Sequence, residues 1–465
     1  MPQRLFPDFS AMTKESWQQQ VRTDLKGTSY ESLQQVVGGG AALEPYYTAA
    51  ELDEPRAREV RAAQRSQPGW LNQPLVRFTT SPDTNWQLLE ALDRGADALW
   101  LDLGTTSLLA TEVPKTLHKI RLTDVPIIFE TSGILPADLV TELTRNAPYY
   151  LKGGIAADPL AQWMQRGTSY ELCLASVGEA MTATKAMREF RTCAVGSQVF
   201  HNAGADPVQE LAFTLALATA YLDALTEAGV PPLLAVNRLF FSISVGTSYL
   251  TEIAKLRALR YLYRRISRAY QLPDALCRTH VHARTSTLYE TTSLPPNNLL
   301  RATSEAMSAV VGGCDALSVR PFDSTLGEPT AFSSRLARNV SLVLKEEGYL
   351  GFVADPAAGS YYLETLTLQL ADAAWALFLD VEERGGLIKA FEQNFIQDKI
   401  QKAWEEKQAA YAQGRVLVGV NKYQAEEPGG TYQQVPSSEK NTSSEVLPFD
   451  LLPDRRLETY LLNQD

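Results

Sequence analysis

The chain has 465 residues, 45% hydrophobic and 21% charged, the balance of a soluble globular protein with one large domain and appendages. Its formal net charge of −11 argues against nucleic acid or an anionic membrane surface as principal partner. The cysteines, Cys173, Cys193, Cys277 and Cys314, lie far apart with no C-x-x-C pair, which argues against a disulfide framework or thiolate zinc site and predicts buried, reduced thiols.

The opening MPQRLFPDFSAMTKESW has no apolar signal core, and no apolar run approaches about 20 residues, so a cytoplasmic location is expected. Residues 1–70 read as an arm. TKESWQQQVRTDL sets a threonine cap before a helix with Trp17, Val21 and Leu25 on one face. GGGAAL and DEPRAREVRAAQRSQPGW read as extended, proline-punctuated and polar. Such a segment buries little alone, so it is expected to lie on another surface, a partner chain in preference to its own barrel.

From Leu75 short apolar runs alternate with helical patterns: LVRFT (75–79), ALWLDL (98–103), VPIIFE (125–130), YYLK (149–152), RTCAVG (191–196), RLFFSIS (238–244), THVHAR (279–284) and ALSVR (316–320). Apolar strands alternating with helices indicate a parallel sheet covered on both faces. Their number and the span 71–370 predict an α/β fold, a (β/α)8 TIM barrel. A helical extension over 371–424 is expected next. AEEPGGTYQQVPSSEKNTSSEV (425–446) has linker composition, and the tail, 425–465, closes with a short helix in DRRLETYLLNQD.

Phosphate-loop patterns and G-x-S-x-G are absent. The histidines His280 and His282 share a strand face, but no cluster completes a metal shell and Arg284 on the same face would repel a cation. No metal site is expected. Alternation sets His280, His282, Arg284 and Ser286 against Val281, Ala283 and Thr285, so the polar set is either a self-satisfied cluster or a pocket. Arg320 is expected to pair with Asp323 or Asp315, and Arg238 to make a salt bridge at the barrel rim. SQVFHNAGADP (197–207) reads as strand, turn and helix start, the position of an active-site loop in a barrel.

Together these segments resemble the methylmalonyl-CoA mutase family. DFSAMTKESWQQQVRTDLKG, HNAGADPVQELAFTLA, EIAKLRALR, PPNNLLRATSEAMSAVVGG, RPFDSTLGEPTAFSSRLARN, ADPAAGSYYLETLT and VLVGVNKYQ occur in family order. The resemblance implies a (β/α)8 barrel with acyl-CoA threaded along its axis. It also implies an adenosylcobalamin-dependent radical interconversion of methylmalonyl-CoA and succinyl-CoA, in which the cofactor makes the radical and the protein binds and shields.

Two parts of the family's equipment have no match. The D-x-H-x-x-G loop that holds cobalamin is absent, so this chain is expected to have no cobalamin domain and to bind no cofactor, adenosylcobalamin residing in a partner subunit. In catalytic chains G-Y-H precedes E-A-G-A. Anchoring on Ala203-Gly204-Ala205 puts Gln198 at the tyrosine position and Val199 at the histidine position, which leaves no catalytic residue. Arg238 matches a family arginine that contacts CoA, with Phe240 in place of a serine two places on. His282 matches a pocket histidine, with Arg284 in place of a glutamine.

Arg238, His282 and Arg284 are therefore the residual acyl-CoA pocket, and the cavity is expected to be filled by its own side chains. Such a chain resembles the small subunit of a heterodimeric mutase, inactive alone and paired with a large, cobalamin-bearing catalytic subunit. Two other readings stand: an active acyl-CoA mutase barrel served by a separate cobalamin subunit, and a stand-alone CoA-ester-binding protein.

Overall fold

The computed structural model describes residues 12–37, 41–105, 112–147, 149–424 and 447–462; the linker-like stretch 425–446 lies outside them. Parallel strands close into a (β/α)8 barrel. They are β1 (Leu71–Asn72, continued by Leu75–Arg77), β2 (Leu99–Asp102), β3 (Ile127–Glu130), β4 (Gly153–Ile155), β5 (Phe190–Arg191, continued by Cys193–Gly196), β6 (Leu239–Val245), β7 (Val281–Thr285) and β8 (Ala316–Ser318).

Closure rests on the two broken strands. The first piece of β1 pairs with β8 (Ala316↔Leu71) and the second with β2 (Leu75↔Trp100). Likewise β5 pairs with β4 through Arg191 and with β6 through Cys193. Pro74, between the pieces of β1, offers no N–H to a ladder, and this is where the strand breaks.

The fourth strand is not the apolar run YYLK at 149–152. It is Gly153–Ile155. A Cβ at Gly153, which has φ +96°, would stand 2.1 Å from the Ile127 carbonyl oxygen. Glycine is thus what lets the strand approach β3, although a glycine pair reads locally as a turn.

The helix Pro207–Glu227 starts at Asp206, whose carboxylate accepts from the Val208 and Gln209 N–H groups. By length and composition it could cross a membrane, yet 72% of its apolar window is buried inside the protein. It packs against Tyr361–Glu383, which also covers Tyr249–Ala269. Tyr361–Glu383 runs through the boundary drawn at 370 and leads into Gly386–Glu392 and Phe395–Ala412.

The arm divides into two parts. DEPRAREVRAA is not extended: Asp53 caps the helix Glu54–Ala63, with Pro55 in its first turn. Ala57 and Val60 are buried where that helix packs on Tyr249–Ala269, and the Arg65 guanidinium donates to the carbonyls of Ala354 and Cys314. This half therefore docks on its own barrel. The helix Lys14–Asp24, capped by Thr13 and Ser16, has no buried residue.

Residues 447–462 return across the barrel's loops. Leu457 N–H donates to the Leu288 carbonyl, Arg455 N–H to that of Asn202, and buried Glu458 accepts from Thr292 and Ser293. The short final helix is Leu457–Leu462. All four cysteines are free thiols, Cys193 and Cys314 buried.

Candidate functional site: the barrel axis

Alternate residues of a barrel strand point inward, where they stack in layers. One layer here is apolar: Trp100, Ile128, Ala156, Ala194 and Phe240, with Leu75 against them. The Trp100 ring stacks on His282 with centroids 4.4 Å apart, and Phe240 meets it edge-on at 6.2 Å. Arg284, two residues on from His282 in the same strand, sets its guanidinium carbon 4.6 Å from the Trp100 centroid. Glu130 ties the group together, accepting from Trp100 Nε1 at 2.6 Å and facing Arg284 Nη2 at 3.4 Å.

Above this layer the polar side chains form one directed chain of hydrogen bonds. Ser318 Oγ donates to the Gln73 carbonyl at 2.6 Å, so it accepts from His282 Nε2 at 2.8 Å. The other ring nitrogen, Nδ1, then accepts from Ser242 Oγ at 3.0 Å. Ser242 Oγ in turn accepts from Gln198 Nε2 at 3.0 Å. This order assigns His282 as the neutral Nε2–H tautomer. Burial, with Arg284 and His280 nearby, pushes its pKa well below the ordinary value, consistent with that assignment. Both nitrogens are engaged, which leaves no free donor for a ligand carbonyl.

His282 and Arg284 thus share the axis with Gln198. Val199, next along, is buried in the apolar core. Arg238 does not join them. Its guanidinium turns to the carbonyls of Thr184 (2.8 Å), Lys185 (3.1 Å), Phe190 (2.6 Å) and Met187. Nor is it a rim salt bridge: it is buried and serves as a clip on the backbone around residue 187. Arg320 pairs with Glu290 at 3.2 Å, not with Asp323 or Asp315. Asp315 instead holds Arg260 at 2.6 Å.

The stretch after β5 is a short helix, Gln198–Ala203, not an open turn. It ends at Gly204 with φ 106°, where a Cβ would stand 2.8 Å from the Trp404 ring. His201 sits between Glu210 Oε2 (3.1 Å) and Ser286 Oγ (2.7 Å). That is the connectivity of a serine–histidine–carboxylate triad, but not its setting. Glu210 also faces Lys255 at 2.8 Å, and Lys255 faces Glu252 at 2.6 Å, all buried. Burial opposes ionisation of Glu210, yet Lys255 and His201 overcome it and hold its pKa low. Ser286 Oγ accepts from the Leu288 N–H, and both Ser286 and His201 are buried, so no carbonyl substrate can reach them. The cluster is a structural pin between the β5, β6 and β7 ends.

The interior residues missed from the sequence are Trp100, Glu130, Ser242 and Ser318. Strand alternation carried the signal for Trp100, which has the parity of Asp102 at the mouth. Among the described residues no three His, Cys, Asp or Glu side chains converge on a metal position.

A family model described as methylmalonyl-CoA mutase matches residues 117–447. The methylmalonyl-CoA mutase small subunit of Porphyromonas gingivalis is 31% identical over 439 residues, covering 90% of this chain and 71% of that one. That of Streptomyces virginiae is 32% identical over 442 residues with the same coverage. Methylmalonyl-CoA mutase of Escherichia coli is 30% identical over 456 residues, spanning 88% of this chain and 64% of the longer one.

Proposed function

This chain belongs to the methylmalonyl-CoA mutase family, and from that premise we propose that it is the small, non-catalytic subunit of a heterodimeric mutase. In this reading it supports, in the cytoplasm, a large subunit that carries adenosylcobalamin and interconverts methylmalonyl-CoA and succinyl-CoA. The carrying observation is the axis. Trp100, Phe240, His282 and Arg284 occupy the line an acyl-CoA would follow, and the hydrogen-bond chain from Gln198 through His282 to the Gln73 carbonyl engages both nitrogens of the His282 ring. At the positions that face substrate in catalytic chains stand Gln198, bonded to Ser242, and Val199, an isopropyl group with no proton to give.

The described histidines do not fit cobalamin. His201 and His282 have both ring nitrogens engaged, His280 lies beside Asp315, and His118 is on an exposed turn. No step is routed through the cofactor here; it is assigned to the partner. The relatives named small subunit and the helix Lys14–Asp24, which buries nothing, support the pairing.

The test is reconstitution with a cobalamin-bearing large subunit of the same organism, following mass and turnover. A one-to-one complex whose turnover requires the large subunit is expected. Turnover by this chain with an isolated cobalamin domain would sink the proposal, and failure to associate would favour a stand-alone CoA-ester binder.

A further inference from the structure

The loop between β7 and the helix Pro296–Val311 holds a seat for a carboxylate. Thr292 and Ser293 each offer a backbone N–H and a hydroxyl, and Glu458 takes all four. Its Oε2 accepts from the Thr292 N–H at 2.5 Å and the Thr292 hydroxyl at 2.9 Å. Its Oε1 accepts from the Ser293 N–H at 2.9 Å and from the Ser293 hydroxyl. Glu458 is only 2% exposed, so four neutral donors hold a buried charge, each bond strengthened by that charge.

The rest of the segment 447–462 is thinly attached. Only Leu452, Leu457 and Glu458 in it are buried. Its backbone ties run to the carbonyls of Met164, Asn202 and Leu288, which follow β4, β5 and β7, and none is a rung of the strand ladders. The contact also leaves gaps: Arg455 Nη1, Asn202 Oδ1 and Gln397 Oε1 are buried without a hydrogen-bond partner within the protein, each at a cost. The closing helix Leu457–Leu462 has six residues, too few to hold a helix in water by itself. Leu457, with Tyr460 and Leu461 beside it, covers Leu288, Tyr289, Trp404 and Tyr411, a small core apart from the main one.

We infer that residues 447–462 form a releasable strap over the C-terminal mouth of the barrel, latched by the Glu458 carboxylate in the Thr292–Ser293 seat. Latched, the strap covers Leu288, Tyr289 and Trp404 at the face where (β/α)8 barrels carry their sites. Released, it uncovers that apolar face and leaves the strand ladders whole. Opening of this kind is local and needs far less free energy than unfolding the barrel. The inference concerns this chain alone and does not depend on the subunit reading.

The test is limited trypsin digestion of the native full chain, read by mass spectrometry. Arg455 and Arg456 stand in the strap just before the latch, and cleavage after them reports the fraction of chains with the strap open. The wild-type chain is expected to be cut there slowly, at a rate that does not follow global unfolding. Glu458→Ala should raise that rate about tenfold or more, as the loss of charge-assisted hydrogen bonds does. Ser293→Ala removes one hydroxyl of the seat and should raise it about threefold. In both variants the melting temperature should hold within about 2 °C. A labelled peptide of residues 447–462 should bind the Glu458→Ala chain once, and the wild-type chain, whose seat is taken, about tenfold more weakly or less. Unchanged cleavage of Glu458→Ala, wild-type cleavage that tracks global unfolding, a melting transition that falls with the latch, or equal peptide binding by both chains would each overturn the inference.

Discussion

The barrel axis and the helix Lys14–Asp24 follow opposite rules. In the axis each inward polar group of the His282 chain is answered by another of the same protein, from Gln198 to the Gln73 carbonyl. In the helix nothing is buried, and the Trp17–Val21–Leu25 stripe is only half covered, with Trp17 against Tyr46 at 5.2 Å. The His282 ring has neither nitrogen to spend on a ligand, whereas an uncovered apolar stripe still has burial to gain. The contrast separates what this chain has closed from what it offers to a partner.

The strongest way to break the contrast is to reopen the axis. Trp100→Ala removes the ring on which His282 stacks and over which Arg284 lies. A cost of about 3–5 kcal/mol is expected for a large ring deleted from a packed core, seen as a lower urea midpoint.

A gentler perturbation is pH. The pKa of His282 in the fold lies far below its ordinary value because of burial, Arg284 and His280, and that of His280 is held down to about 3. Below about pH 6.5 the unfolded chain takes up protons at these residues that the fold refuses. Their contribution is therefore neutral above that pH and increasingly destabilising below it. Each histidine contributes about 1.4 kcal/mol per pH unit until its folded pKa is reached. His282→Gln should remove one histidine's share of the slope between about pH 6 and 5, measured by denaturant titration at stepped pH.

The smallest effect on the isolated chain belongs to the other region. Val21→Asp should change its own stability by no more than about 0.5 kcal/mol. If the stripe meets the large subunit, the same change should weaken the complex about tenfold or more, as a charge placed in an apolar contact does. An unchanged association constant would remove the helix from the interface.

Much of the barrel was legible because its strands are short apolar runs and its helices are periodic. The misses were long-range. Gly153 belongs to a strand because β3 comes within contact, which no local propensity shows. Glu54–Ala63 is dominated by charge, and only Ala57 and Val60, three apart, mark its buried face. In the site, strand alternation placed His282 and Arg284 on one side, and anchoring on Ala203-Gly204-Ala205 singled out Gln198 and Val199. Arg238 was not readable: its partners are backbone carbonyls about residues 184–190, brought near by the turn before β5. Arg320 likewise chose Glu290, which is farther away in sequence than either aspartate considered.

The most direct test of a closed axis is the stoichiometry of acyl-CoA binding, measured by equilibrium dialysis of succinyl-CoA against the isolated chain and against its complex with a large subunit. The account predicts no axial binding by the isolated chain and one molecule per heterodimer. Two per heterodimer, or saturable binding by the isolated chain that Trp100→Ala alters, would contradict it.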